Sequence, residues 1–129
     1  MAWEIKVTEA VAEQEVRSWL DALDVCPDDI ERLDDMFVQI KSAVKYGIVE
    51  FDGEKAIQTL RKPAEGIASI TFKPLTTGQV AKIRGIKDAQ KMNSEALKSL
   101  TGLTDSVFDQ IGNKDILISN CIGAFFLMQ

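Results

Sequence analysis

The feature that most constrains this chain is its C-terminal end, Ile122-Gly-Ala-Phe-Phe-Leu-Met, which is apolar on nearly every side of a helix. A helix with no polar face has to be buried in its own domain, in a partner or in a membrane. The segment begins at Asn113, carries Lys114 and Asp115 in its first turn, and leaves only about fifteen residues, too few and too charged to span a bilayer. It therefore reads as a core helix or a protein–protein contact. A domain of this size covers one side of such a helix more easily than all of them. The expectation is that Ile118, Cys121, Ile122, Phe125 and Phe126 leave an uncovered side, which seeks a second copy of the chain or a client helix.

The same end is punctuated by stops and restarts. Leu97, Leu100 and Leu103 lead to a stop at Thr101-Gly102, Thr104 restarts a helix carrying Val107, Phe108 and Ile111, and Gly112 ends it. Upstream, Thr8 is a natural N-cap, and Ala12, Val16, Trp19, Leu20 and Leu23 follow at helical spacing. Pro27 suits the first position of a second helix, with Asp28, Asp29 and Glu31 in its opening turn. Ile30, Leu33, Phe37, Ile40 and Val44 carry that helix to Gly47.

Periodicity then changes. Ile48-Val-Glu-Phe and Ala56-Ile-Gln-Thr-Leu flank Asp52-Gly-Glu-Lys as a hairpin, and Ile70 and Phe72 alternate with polar residues as a third strand. Arg61-Lys-Pro-Ala-Glu-Gly reads as a loop between them, because Pro63 and Gly66 interrupt regular structure. Thr76 and Gln79 have capping-box spacing and open a helix running toward Met92, with a bend or early end at Gly85, and Asn93 or Ser94 opens the next segment. The fold class expected is α+β, mainly α, with helices flanking a small antiparallel sheet near residues 48–73. One domain is the default for 129 residues.

Composition narrows function. There is no histidine, which removes the commonest general acid–base and the commonest metal ligand together. No Walker loop or GxGxxG is present, and Thr77-Gly78 reads as an ordinary helix start. No serine or cysteine has a base at recognisable spacing. No catalytic residue, cofactor or metal is assigned. Cys26 and Cys121 show no disulfide or zinc spacing and read as small buried hydrophobes. The N-terminus lacks the pattern of a cleavable signal, and no apolar run is long enough to cross a membrane, so a cytosolic protein is expected.

Charge is unevenly placed. Residues 1–60 hold fourteen acidic against six basic side chains, and residues 61–129 hold six against nine. Asp28, Asp29, Glu31, Asp34 and Asp35 read as a solvated acidic helix face, because an oxygen-ligand cation site needs a converging loop. Lys82, Arg84 and Lys87, with Lys91, make one helix basic. They are candidates for a protein contact or, as the alternative reading, for a small nucleic-acid-associated regulator. An acidic chain without aromatics among those cations argues against nucleic acid.

Two phrases give the chain a resemblance. Leu60-Arg61-Lys62-Pro63 lies near a strand, and Leu100-Thr101-Gly102-Leu103 follows later, ahead of the acidic Asp105-Ser-Val-Phe-Asp-Gln-Ile and the closing Phe125-Phe126. Over residues 57–129 this order resembles the tail assembly chaperones of long-tailed, lambda-like bacteriophages. The resemblance implies a non-enzymatic protein that binds the aggregation-prone tape measure protein and recruits tail tube subunits. It also implies action in the cytoplasm of the infected bacterium and absence from the finished virion. That family is often made in two lengths by programmed ribosomal frameshifting, and Phe125-Phe126 is a place where a uridine run would permit slippage. The uneven charge adds the expectation of a homo-oligomer, with Phe125 and Phe126 near the contact.

Overall fold

A computed structural model describes residues 3–128. The described residues form seven helices and one three-stranded antiparallel sheet, an α+β fold that is mainly α. Helices α1 (Glu9–Ala22), α2 (Pro27–Arg32) and α3 (Asp34–Lys45) precede strands β1 (Val49–Asp52), β2 (Lys55–Ala64) and β3 (Ile67–Phe72). Helices α4 (Thr77–Arg84), α5 (Ala89–Thr101), α6 (Asp105–Gln110) and α7 (Asn113–Phe126) complete the chain. No helix among the described residues is long and apolar enough to cross a membrane.

Local chemistry sets the boundaries. The Thr8 hydroxyl accepts from the Val11 amide at the start of α1, and Thr76 and Gln79 close a reciprocal capping box on α4. Gly47 ends the α3 turn with φ +74, and a side chain there would strike the Lys6 Cγ, 2.7 Å from the position of a Cβ. Two helices end earlier than periodicity alone suggests. The long second helix breaks at Leu33, where Asp34 and Asp35 supply a fresh acidic first turn favourable to the N-terminal end of α3. The helix opened by Thr76 stops at Gly85 rather than running to Met92. The Asp88 carboxylate then accepts from the Lys91 amide and starts α5, so neither Asn93 nor Ser94 opens a segment.

The sheet is a meander in the order β1-β2-β3, with Val49 opposite Gln58 and Gln58 opposite Ile70. One face is buried, carrying Val49, Ala56, Gln58, Leu60, Ile70 and Phe72, while Glu50, Thr59 and Ser69 point to solvent. Helices α3 and α5 and strand β2 pack around α7 on the buried side. Trp19 of α1 locks this arrangement. Its indole N–H donates to the Glu54 carbonyl in the hairpin turn (3.0 Å), and its ring stacks on Phe51 at 4.7 Å. The same ring stands edge-on to Phe125 at 6.2 Å and to Phe126 at 5.5 Å.

The segment expected to be a loop, residues 61–66, is mostly strand. Strand β2 runs on through Pro63 to Ala64, and only Glu65 and Gly66 turn the chain. Between the Thr59–Ser69 and Ala64–Ile67 pairs, residues 60–63 of β2 lie opposite Ala68 alone, a large bulge. The amides of Arg61 and Lys62 find their acceptor in the Asp115 carboxylate of α7, at 3.1 Å to Oδ1 and 3.1 Å to Oδ2. Pro63 has no amide to satisfy. Beneath the bulge, Gln58 donates from Nε2 to the Asp115 carbonyl (2.8 Å), and the Ser119 hydroxyl donates to Gln58 Oε1 (2.6 Å). Gln58, Asp115 and Ser119 are all buried, and no buried side-chain polar atom among the described residues lacks a partner.

Orphaning a buried N–H costs about 1–3 kcal/mol. Asp115→Ala is therefore expected to destabilise the fold by about 2–4 kcal/mol, and Asp115→Asn, which keeps one acceptor, by less. Urea melts of the two variants check the ranking.

Candidate protein-binding surfaces

The apolar end of the C-terminal helix is buried by its own chain, and α7 meets solvent along Asn113, Lys114, Leu117 and Asn120, with Leu117 43% exposed. Ile118 is 2% exposed, Cys121 4%, and Ile122, Phe125 and Phe126 0%. These five residues do not form an accessible contact surface, which corrects the expectation that they leave an uncovered side. The physical reason is that four elements pack around α7 rather than one. Strand β2 accepts its N-terminal half through Asp115, α3 and α5 flank it, and α1 reaches its end through Trp19. Gly123 lets α5 come close: a Cβ there would lie 3.3 Å from Leu97 Cδ2. Burial raises the Cys121 thiol pKa, opposed by the Lys114 charge, and the side chain packs in the core as a small hydrophobe. Cys26 differs from expectation. It is exposed, at the start of α2.

The basic candidates separate in the same way. Lys82 lies exposed on α4 and Lys87 exposed in the link to α5, but Arg84 has structural work. Its guanidinium donates to the Leu127 carbonyl, capping the C-terminal end of α7 where acceptors are orphaned. Ile83 of α4 packs beside it with Ala96 and Leu127 in a small satellite cluster. The structure brings Arg84 to the core helix and leaves Lys82 and Lys87 as isolated surface charges. Among the described residues no three carboxylates or thiols converge as metal ligands.

What sequence reading did not find is a groove between α1 and the free edge of β1. It encloses about 730 Å³, and Val7, Val11, Trp19, Val44, Val49 and Phe51 supply its apolar lining. Trp19, Val44 and Val49 are buried and form its floor, Phe51 is half-buried, and Val11 at the rim is 41% exposed. Glu15 on the helix wall and Glu50 on the strand wall are exposed carboxylates beside the opening. The available signal was Val11, an apolar residue on α1 outside the stripe formed by Ala12, Val16, Trp19 and Leu20. Such a groove can hold apolar side chains of another protein without any movement of the core.

No protein-family profile, curated protein or solved structure matches this chain.

Two outcomes follow from this placement. Phe125→Ser combined with Phe126→Ser should unfold the chain rather than merely separate subunits, because truncating one buried Phe costs about 3–5 kcal/mol and a whole domain is stable by about 5–15 kcal/mol. Circular dichroism of the double variant reads this directly. With Arg84 engaged on Leu127, binding to mixed duplex DNA should be no tighter than about 100 μM at physiological salt, and a salt-steep complex in the low-micromolar range would instead support the nucleic-acid reading.

Proposed function

We propose that this chain is an assembly chaperone for the tails of long-tailed bacteriophages. In this reading it acts by reversible protein–protein binding: it binds the tape measure protein and recruits tail tube subunits. What carries the reading is the ordered pair of phrases, Leu60-Arg61-Lys62-Pro63 and Leu100-Thr101-Gly102-Leu103, over a region that includes the whole α7 scaffold. Each phrase has a physical job. The first is the bulge whose amides hold Asp115. The second is the end of α5, where Gly102 takes the left-handed conformation (φ +73) and the Leu100 carbonyl accepts from the Lys73 amide just past β3. Together they fix both flanks of the sheet on the core, which leaves client binding to other surfaces.

The groove between α1 and β1 supplies such a surface. A holdase needs apolar area that is open enough to accept a client and small enough not to drive its own aggregation. A groove with a buried aromatic floor and a carboxylate on each wall meets both needs. The net charge of −5 adds mutual repulsion between free chaperones. The absence of histidine is in keeping with a binding protein rather than a general acid–base catalyst. In this account the protein works in the infected cell and departs before the virion is complete.

The test is light scattering as the tape measure protein encoded with this chain is diluted from denaturant. Suppression of scattering near equimolar chaperone is the expected result. Val11→Asp should weaken that suppression while leaving the melting temperature within a few degrees, since the residue is on the surface. Undiminished scattering at several-fold excess of the folded wild-type chain would overturn the chaperone reading.

A further inference from the structure

Helix α3 has oppositely charged surroundings at its two ends. Its twelve residues rise about 1.5 Å each, so the ends lie roughly 17 Å apart. At the N-terminal end, Asp34 and Asp35 join Asp28 and Glu31 of α2, all exposed. The nearby cations are engaged: Arg32 pairs with Asp29 at 3.5 Å, and Arg17 pairs with Glu13 and lies over the Phe37 ring. The four exposed carboxylates are in none of the ion pairs among the described residues.

The other end is cationic and aromatic. Lys45 lies over the Tyr46 ring at 5.6 Å, Trp3 stands edge-on to Tyr46 at 5.2 Å, and the Arg61 guanidinium covers Trp3 at 3.6 Å. Lys114 of α7 shares a pocket of about 330 Å³ with Trp3 and Tyr46, and Lys62 flanks Gly112 at the start of α7. The Asp115 carboxylate nearby is spent on the bulge amides, and Glu4 pairs with Lys6 at 3.3 Å. Among the described residues Lys45, Lys62 and Lys114 take part in no ion pair. Trp3, 44% exposed, leaves apolar area beside these charges.

We propose that the cationic, aromatic end built from Trp3, Tyr46, Lys45, Lys62 and Lys114 docks the acidic α2–α3 corner of a second copy of this chain. The occupant is identified by charge complementarity. A corner with four exposed carboxylates lies at one end of α3, and at the other lies an aromatic pocket lined by Lys114, with Lys45 over its Tyr46 and Lys62 beside the start of α7. Such a contact is heterologous, so each copy keeps one free end of each sign, and copies add head to tail into a ring or an open row. Exposed single ion pairs are worth little, but several charges facing several others around a partly desolvated aromatic pocket act as a network. The contact leaves the α1–β1 groove untouched and reaches α7 only at its first turns, through the exposed Lys114 beside the pocket. It stands apart from the chaperone reading, and client binding can survive its loss.

Sedimentation velocity of the full chain tests it, because charge pairing across an interface weakens as the screening length falls from about 10 Å at 0.1 M salt to about 3 Å at 1 M. Species larger than the monomer should grow with concentration at the lower salt and dissociate at the higher. Lys62→Glu with Lys114→Glu should weaken self-association at least about tenfold, as should Asp28→Lys with Glu31→Lys and Asp35→Lys. All five positions are exposed, so thermal melts should stay near wild type. An equimolar mixture of the two variants should assemble again, since each then offers the end that the other has reversed. A wild-type chain that stays monomeric up to about 1 mM at 0.1 M salt overturns the proposal. Variants that assemble like wild type, or a mixture that stays monomeric, also overturn it. The scattering assay on the wild type reads the chaperone function independently of either result.

Discussion

Two backbone amides on a strand that has lost its neighbour must be satisfied by something, and here the Asp115 carboxylate satisfies both. That requirement organises the molecule. Without an acceptor for Arg61 and Lys62, the long bulge in β2 would have to bend out to water, and the strand would end near Leu60. With it, β2 continues to Ala64, Leu60 and Ala64 reach the core, and α7 is fixed over the sheet at its first turn. The helix start favours a carboxylate there, so one side chain serves the helix and the strand together. Gln58 and Ser119 complete the connection below it. A buried polar network with every member paired specifies one register for α7 on the sheet, which an apolar contact alone would not do.

The consequence for function is a separation of labour. The most hydrophobic part of the chain is fully used inside it: Trp19, Phe51, Phe125 and Phe126 join α1, the hairpin and α7 in one aromatic cluster. In the proposed function, binding falls to surfaces built on that core, namely the groove beside β1 and the charged ends of α3. A buried floor suits the proposed reversible binding, since a partner that meets a preformed groove does not require the chain to order itself on binding.

Much of the architecture was legible in the sequence. The caps at Thr8, Thr76 and Gly102, proline at the head of α2, the hairpin around Gly53 and the start of α7 all follow from short-range chemistry that tertiary contacts do not override. The strand through Pro63 was not legible, because what makes it a strand is a carboxylate more than fifty residues away. Gln58 was the hint available, a polar residue at an inward strand position between Ala56 and Leu60. The burial of α7 escaped for a related reason. Periodicity identifies a helix without a polar face, but the number of elements around it depends on topology. Arg84 likewise read as one of a basic group, although geometry gives it to the Leu127 carbonyl. The groove depends wholly on the spacing between α1 and an edge strand, which no local pattern encodes.

The central claim is that Asp115 holds the β2 bulge to α7, and native-state hydrogen exchange at two amides tests it most directly. The Arg61 and Lys62 N–H groups have no partner strand, so ordinary bulge or loop amides at these positions would exchange within the fast class. The account predicts instead that both are protected as strongly as the core amides of β2, and that they open only with global unfolding. Rapid exchange of these two amides, in a chain whose Gln58 and Thr59 amides remain protected, would contradict it.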